Sequence, residues 1–193
     1  ADANGEVWDF RRADDRRRAR TRIELEKPYL VIGSPPCTAF SQLQTSNPKT
    51  DESHRKWADG VEHIKFVITM YRRRIDGGRM FLHALPANAT SWSLKEVHKL
   101  ARQQGVTIHE ADQCMYGLKT RGHNRSQIVA AKKPTRFMTN SPFIGQALSE
   151  GCKGQRRHAA LEVAFSWGLN VPPLHGITIP PLHHEPGGQA TLI

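Results

Sequence analysis

The stretch that decides the fold is residues 29–41, which read Tyr29-Leu-Val-Ile-Gly33-Ser-Pro-Pro-Cys37-Thr-Ala-Phe-Ser41. Its first part is a compact apolar run closed by Gly, Ser and Pro, a pattern typical of a strand buried on both faces. Its second part is a loop in which two consecutive prolines fix the backbone immediately before a cysteine. We therefore expect a buried strand that delivers Cys37 to the loop at its carboxyl end.

On both sides of this strand the chain alternates between helical and extended patterns. The expected helices span residues 13–26, 62–74 and 93–104, and the other expected strands span 79–83, 106–110, 126–131 and 135–139. Such alternation predicts an α/β, Rossmann-like fold with a mostly parallel sheet and helices on both faces. In such sheets functional residues collect in the loops after the carboxyl ends of the strands, where Cys37 is expected.

Length and composition limit the class of protein. The 193 residues suffice for one domain with a core, expected over residues 1–170, followed by a Pro/Gly-rich extended tail over 171–193. No run approaches the roughly 20 apolar residues of a membrane helix, and the chain start lacks the apolar core of a signal peptide. We expect an intracellular protein, cytoplasmic or nuclear, without a membrane partner. Because the chain does not begin with Met, we also expect a fragment of a longer polypeptide.

The charge and the cysteines narrow the class further. A net charge of +10 indicates an anionic partner, most commonly nucleic acid, although the Arg-rich run 11–22 is equally typical of a solvated helix face. Cys37, Cys114 and Cys152 are widely spaced and odd in number, which excludes a disulfide framework and suits a reducing compartment. Without a Cys-x-x-Cys pair we expect no metal site, and a structural role for Cys114 and Cys152.

The loop resembles the nucleophile motif of the cytosine-5 DNA methyltransferases, in which Pro-Cys is followed shortly by Phe-Ser. Its longer pattern over residues 33–44 is similar to methylase-like segments of phage and mobile-element polyproteins, and the resemblance covers about residues 7–160. It implies that the Cys37 thiolate attacks carbon 6 of a flipped-out cytosine in DNA, so that carbon 5 takes a methyl group from S-adenosylmethionine. The other implied residues of the loop are Ser34, Pro35, Pro36, Phe40 and Ser41. Backbone amides at the start of a turn are expected to lower the pKa of Cys37.

The same resemblance assigns roles outside the loop. Asp9, with Phe10 beside it, matches the acidic position that binds the adenine end of S-adenosylmethionine, and a surface Asp closing a strand is the alternative. No Gly-x-Gly element precedes Asp9, so we expect the first strands of the sheet to be missing and an upstream segment of the same polyprotein to complete the cofactor site. Five basic residues are candidates for DNA contact: Arg121, Arg125, Lys132, Lys133 and Arg136.

The sequence departs from the family where a Glu should stabilise the protonated ring of the activated cytosine. Ala84, in His83-Ala84-Leu85-Pro86, stands in that place. Loss of one acid–base group typically costs about 10²- to 10⁴-fold in rate, so an inactive chain is an open alternative. His83 either substitutes for the acid or packs against the sheet.

Two other interpretations remain open. One is a non-catalytic nucleic-acid-binding domain derived from a methyltransferase, which the missing acid and the positive charge favour. The other is an amino-group methyltransferase acting on cytosine N4 or adenine N6, whose motif Ser34-Pro35-Pro36 fits. Cys37 opposes the second interpretation, because those enzymes place an aromatic residue at that position.

Overall fold

The structure, a computed structural model, describes residues 8–41, 50–122, 127–154, 158–159 and 190–192. The helices of these ranges are α1 (Ala13–Glu26), α2 (Asp51–Asp76), α3 (Lys95–Ala101) and α4 (Pro142–Ala147). The strands are β1 (Leu30–Gly33), β2 (Met80–Pro86), β3 (Thr107–Asp112), β4 (Lys119–Arg121), β5 (Ile128–Ala131), β6 (Pro134–Thr139), β7 (His158–Ala159) and β8 (Ala190–Leu192). Each helix and strand expected from the sequence is present, with bounds that differ by a few residues at most ends.

The larger of two sheets has the strand order β3-β6-β2-β1-β8 and is mixed. β1 pairs in parallel with β2 and β8, whereas β6 is antiparallel to both β2 and β3. The expectation of a mostly parallel sheet is therefore wrong. Between β3 and β6 the described residues contain a single 3-10 turn (Gln113–Tyr116) but no α-helix, so the chain re-enters the sheet at the end where β3 leaves it. A parallel return would need a crossover connection along the sheet, usually a helix.

Helices cover both faces of this sheet, as expected. On one face Val31 and Phe81 belong to a core cluster that includes residues of α1, α2 and α3. On the other face Ile32 and Leu82 pack with Ile144 of α4. Because successive side chains of a strand point to opposite faces, β1 is buried along its whole length and forms an interior strand of the sheet.

Local sequence explains where the long helix begins. The Thr50 hydroxyl accepts the Ser53 N–H and the Ser53 hydroxyl accepts the Thr50 N–H, which forms a reciprocal cap. This cap starts α2 at Asp51, well before the apolar periodicity that set the expected start at residue 62. No helix in the described part of the chain is both long enough and apolar enough to cross a bilayer.

The smaller sheet has the order β4-β5-β7 and lies beyond the carboxyl end of β3 in the chain. The expected tail over residues 171–193 is described only at β8, where the backbone is extended and pairs with β1. The rest of that segment lies outside the described residues, so the division into residues 1–170 and 171–193 stays a prediction.

Candidate nucleophile site

Three segments of the chain meet where β1 and β2 end. The loop after β1 carries Cys37, and the loop after β2 reaches it through Thr90, whose hydroxyl donates to the Phe40 carbonyl at 3.1 Å. β6 begins at the same place because it runs antiparallel to β2, and the Ala87 N–H donates to the Pro134 carbonyl at 3.0 Å. Cys37 therefore faces residues from distant parts of the chain.

The loop after β1 is anchored by the packing of Phe40 on α2. Phe40 is fully buried, and its ring packs so closely on α2 that a Cβ at Gly60 would lie 2.9 Å from it. Cys37 begins a single 3-10 turn, closed by the Phe40 N–H donating to the Cys37 carbonyl at 2.9 Å. Pro35 is buried, whereas Ser34 and Pro36 are exposed and Ser41 is partly exposed. The half-buried Cys37 thus lies on a fixed piece of backbone.

Charge and burial act on the Cys37 thiol in opposite directions. Burial raises the pKa of Cys37, and the positive charge of Lys133 partly offsets that rise. Burial in turn lowers the pKa of Lys133, and Cys37 opposes that fall, so the two groups interact electrostatically. The backbone lowers the pKa of Cys37 as expected, but burial outweighs it, so the net pKa is raised. One 3-10 turn presents too few aligned amides to outweigh desolvation of a thiolate.

Polar contacts hold the backbone of Lys133 in place. Its carbonyl accepts the Gln113 N–H and the Thr135 hydroxyl, both at 3.1 Å. The Gln113 amide also donates to the Thr135 hydroxyl at 2.8 Å, which closes the network. The adjacent Lys132 is exposed, and its ammonium lies 3.7 Å from the Asp112 carboxylate. Of the two lysines, Lys133 is the one whose charge acts on Cys37.

No acid lies at the position that the family resemblance assigns to one. Ala84 is partly buried and packs against the core cluster on the α4 face. His83 is fully buried, with its Nδ1 3.2 Å from the Tyr71 hydroxyl and its ring edge-on to Trp92. Burial lowers the pKa of His83 to about 3, so this ring is neutral near pH 7. Of the two alternatives for His83, the structure favours packing against the sheet.

The remaining basic candidates lie in different places. The Arg136 guanidinium is 5.6 Å from the ring centroid of Trp92, in the loop after β2, and 3.3 Å from the Glu110 carboxylate. Arg121 is exposed on β4 of the smaller sheet, and Arg125 lies outside the described residues. The structure therefore brings Lys133 and Arg136 to the loops around Cys37 but does not bring Arg121 there.

The Arg-rich helix α1 is neutralised in part by acids of its own. Three of its arginines form short-range ion pairs within the helix: Arg17–Asp14, Arg18–Asp15 and Arg22–Glu26. These pairs use the guanidinium groups that a polyanion would contact. These exposed pairs are consistent with a solvated helix face, and contact of the run with an anionic partner stays a prediction.

The two cofactor candidates, Asp9 and Phe10, lie near the start of α1. The Asp9 carboxylate is bound by the Arg11 guanidinium at 2.7 and 2.8 Å, and this hydrogen bonding lowers the pKa of Asp9 to about 2. The Phe10 ring is buried, and its centroid lies 4.9 Å from that of Phe66. The role of these two residues in binding S-adenosylmethionine stays a prediction.

Compared with family models, with curated proteins and with solved structures, the chain has no match. A function is therefore inferred from its own residues. Sequence analysis missed two groupings: the Cys37–Lys133 pair, and a cluster of Cys114, Cys152 and His158. The spacing of these residues in the sequence signals neither grouping. Both depend on how the fold places distant segments side by side, as where β6 runs antiparallel to β2 and β3.

Proposed function

We propose that this chain is the nucleophile-bearing part of a cytosine-5 methyltransferase-type domain, in which Cys37 bonds to carbon 6 of cytosine in DNA. The observation that carries the proposal is the anchored Cys37 loop, which meets the segments of Thr90 and Pro134 where β1 and β2 end. A thiol on a fixed loop with a lysine charge acting on it is the arrangement that an activated cysteine nucleophile needs. The loop motif supplies the substrate class, because it resembles the cytosine-directed enzymes.

Burial brings the proton affinities of the thiol and the amine closer together, since it raises the pKa of Cys37 and lowers that of Lys133. The thiol proton passes to water, and the positive charge of Lys133 favours the thiolate that remains. The thiolate forms a bond to carbon 6, and the electron pair of the 5,6 double bond takes a proton from water at carbon 5. Loss of the original carbon 5 proton, with departure of the thiolate, restores the ring.

This addition and elimination exchange the hydrogen on carbon 5 with solvent and need no further reactant. S-adenosylmethionine is the methyl donor implied by the resemblance, and the Asp9 carboxylate that would bind it is already hydrogen-bonded to Arg11. We therefore assign no methyl-transfer step to this chain. With Ala84 in place of the acid, the addition is expected to be slower by about 10²- to 10⁴-fold than with an acid present.

The test measures release of tritium to water from DNA that carries [5-³H]cytosine, with the full chain as catalyst. We expect slow release by the unaltered chain and none by Cys37→Ser. Lys133→Gln should lower the rate, because it removes the positive charge that favours the Cys37 thiolate. Lys132→Gln is the matched control and should keep the rate. Equal release by Cys37→Ser and the unaltered chain would refute the proposal.

A second candidate function is a DNA-binding domain without chemistry. It is favoured by Ala84 together with the burial of His83, which leaves the described loops around Cys37 without an acid group for the base. The net charge of +10 would then carry the binding. Salt-dependent DNA binding that is equal for the unaltered chain and Cys37→Ser, with tritium release from neither, would establish this candidate instead.

A further inference from the structure

A second group of cysteine and histidine side chains lies at the carboxyl end of β3. Cys114 is in the turn that follows β3, Cys152 is in the segment after α4, and His158 is in β7. One donor atom from each lies within 4.8 Å of the others, and Cys152 Sγ is 3.3 Å from His158 Nε2. Three separate segments thus converge on one point.

The surroundings hold this point in place. Cys114 is buried, whereas Cys152 and His158 are half-buried, so the cluster is reachable from solvent on one side. The Asp112 carboxylate accepts the Cys152 N–H at 2.8 Å and fixes that segment against the end of β3. Asp112 also places a negative charge next to the two cysteines, which suits a cation among them.

We propose that Cys114, Cys152 and His158 bind a zinc ion, with water as the fourth ligand. Two thiolates and an imidazole are donors that zinc prefers, whereas calcium and magnesium select oxygen. Zinc bonds of about 2.0–2.3 Å in a tetrahedron separate the donors by roughly 3.5–3.8 Å. Donors already within 4.8 Å reach that spacing through small side-chain movements. Binding transfers the two thiol protons to solvent.

The proposed ion would add a link between the two sheets of the fold. It would tie β7 of the smaller sheet, through His158, to the turn after β3 in the main sheet. Gln113, the chain neighbour of Cys114, holds the carbonyl of Lys133. Zinc at Cys114 would therefore also stabilise the backbone that presents Lys133, although binding itself does not depend on the chemistry of Cys37.

The test measures the zinc content of the full chain, purified without chelator, by mass spectrometry of the metal. Cobalt substitution then reports the ligands through thiolate-to-metal charge transfer and tetrahedral d–d bands. We expect one zinc per chain, lost in Cys152→Ser and His158→Gln. Cys37→Ser, which changes the third cysteine, is the matched control and should retain one zinc. Asp112→Asn should weaken binding by about 10- to 100-fold, because it loosens a ligand without removing it.

Replacement of the buried Cys114 can also disturb folding, so the half-buried His158 supplies the decisive variant. His158→Gln that folds with unchanged circular dichroism but loses its zinc supports the proposal. A folded chain with no zinc and no thiolate charge transfer from cobalt would overturn it. Zinc retained by both Cys152→Ser and His158→Gln would also overturn the proposal. So would a disulfide between Cys114 and Cys152 in protein that is kept under reducing conditions.

Discussion

The nucleophile loop and the Cys114–Cys152–His158 cluster both rely on cysteine, but they are built in opposite ways. Cys37 lies in a continuous motif that follows its own strand, and residues within three positions of it shape the loop. The cluster brings Cys114 together with Cys152 and His158, which follow it at a distance in the chain and lie six positions apart. Chemistry carried by adjacent residues can therefore be predicted from the sequence. A site such as the Cys114–Cys152–His158 cluster, whose residues are brought together by the fold, can be found only in the structure.

The two regions also differ in what stabilises them. The nucleophile loop is held by apolar contact, because Phe40 is buried against α2 and Cys37 packs on the same core. The cluster is held by polar contact, through the Asp112 carboxylate and the Cys152 N–H. Substitutions in the apolar core should therefore affect the loop and leave the cluster intact.

The largest effect is expected from Phe40→Ala. It removes the buried anchor of the loop, which should lower the free energy of unfolding by about 3–5 kcal/mol. It should also speed alkylation of Cys37, because the loop is released, without lowering the zinc content. Chemical denaturation and labelling resolved by mass spectrometry measure both effects.

The exposed Phe143 of α4 provides the control for this change. Phe143→Ala should alter stability by less than about 0.5 kcal/mol, because that ring is 68% exposed. If Phe40→Ala and Phe143→Ala lowered the free energy of unfolding by similar amounts, Phe40 would not be the specific anchor of the nucleophile loop.

The elements of the fold that sequence analysis predicted well are those set by local residues. The apolar run 30–33 is β1, and α1 occupies residues 13–26 as expected, with Lys27 in a left-handed conformation before Pro28. Helices on both faces also follow from the alternation of helix and strand. The direction of β6 was predicted wrongly: a mostly parallel sheet was expected, but the described residues before β6 contain no α-helix that carries the chain back along the sheet.

At the candidate site, sequence analysis predicted the position of Cys37 but not its electrostatic surroundings. The loop after β1 and the absence of an acid at Ala84 are visible in the sequence. The raised pKa of Cys37 is not, because it depends on burial by other segments and on the charge of Lys133. Lys133 was expected to hold phosphate, and that role stays a prediction beside its observed position near the thiol.

The second effect concerns acid. Burial lowers the pKa of His83 to about 3, below the 6.5 of an unfolded histidine. The unfolded state therefore binds more protons between these values, and stability is lost as the pH falls from 6.5 towards 3. His83 should account for a loss of about 2 kcal/mol between pH 7 and 4.5. Denaturation at several pH values should show a flatter dependence for His83→Leu.

His63, with a pKa that burial lowers to about 4, changes stability in the same direction, so His83→Leu should remove only part of the dependence. His98→Leu alters an exposed histidine of α3 and serves as the control. An unchanged dependence in His83→Leu would show that this ring is already protonated in the folded state. Its suitability as a proton donor at the site would then need to be reconsidered.

A third and smaller effect is expected from Gly33→Ala, at the end of β1. An added Cβ would collide with the Tyr71 hydroxyl, which lies beneath the loop and contacts His83. Overpacking by one methyl group should lower stability by about 1–2 kcal/mol. Tyr71→Phe in the same chain should restore part of this loss, because it removes the colliding oxygen. Thermal denaturation of the two single variants and the double variant measures the coupling.

Gly151→Ala is the matched control, because nothing lies within 4 Å of the Cβ that it would add. It should change stability by less than about 0.5 kcal/mol. If Tyr71→Phe does not relieve the cost of Gly33→Ala, then strain in the loop itself, rather than the hydroxyl, would explain why glycine precedes the Ser-Pro-Pro-Cys sequence.

The smallest effect tests the Cys37–Lys133 pair itself. Lys133→Gln removes the positive charge that offsets burial, so the pKa of Cys37 should rise further above its ordinary value. The rate of Cys37 alkylation against pH, followed by mass spectrometry, should move to higher pH. Lys132→Gln should leave the profile in place, because the charge of Lys132 faces Asp112. An unchanged profile in Lys133→Gln would mean that the amine does not act on the thiol, and the loop motif alone would then support Cys37 as a nucleophile.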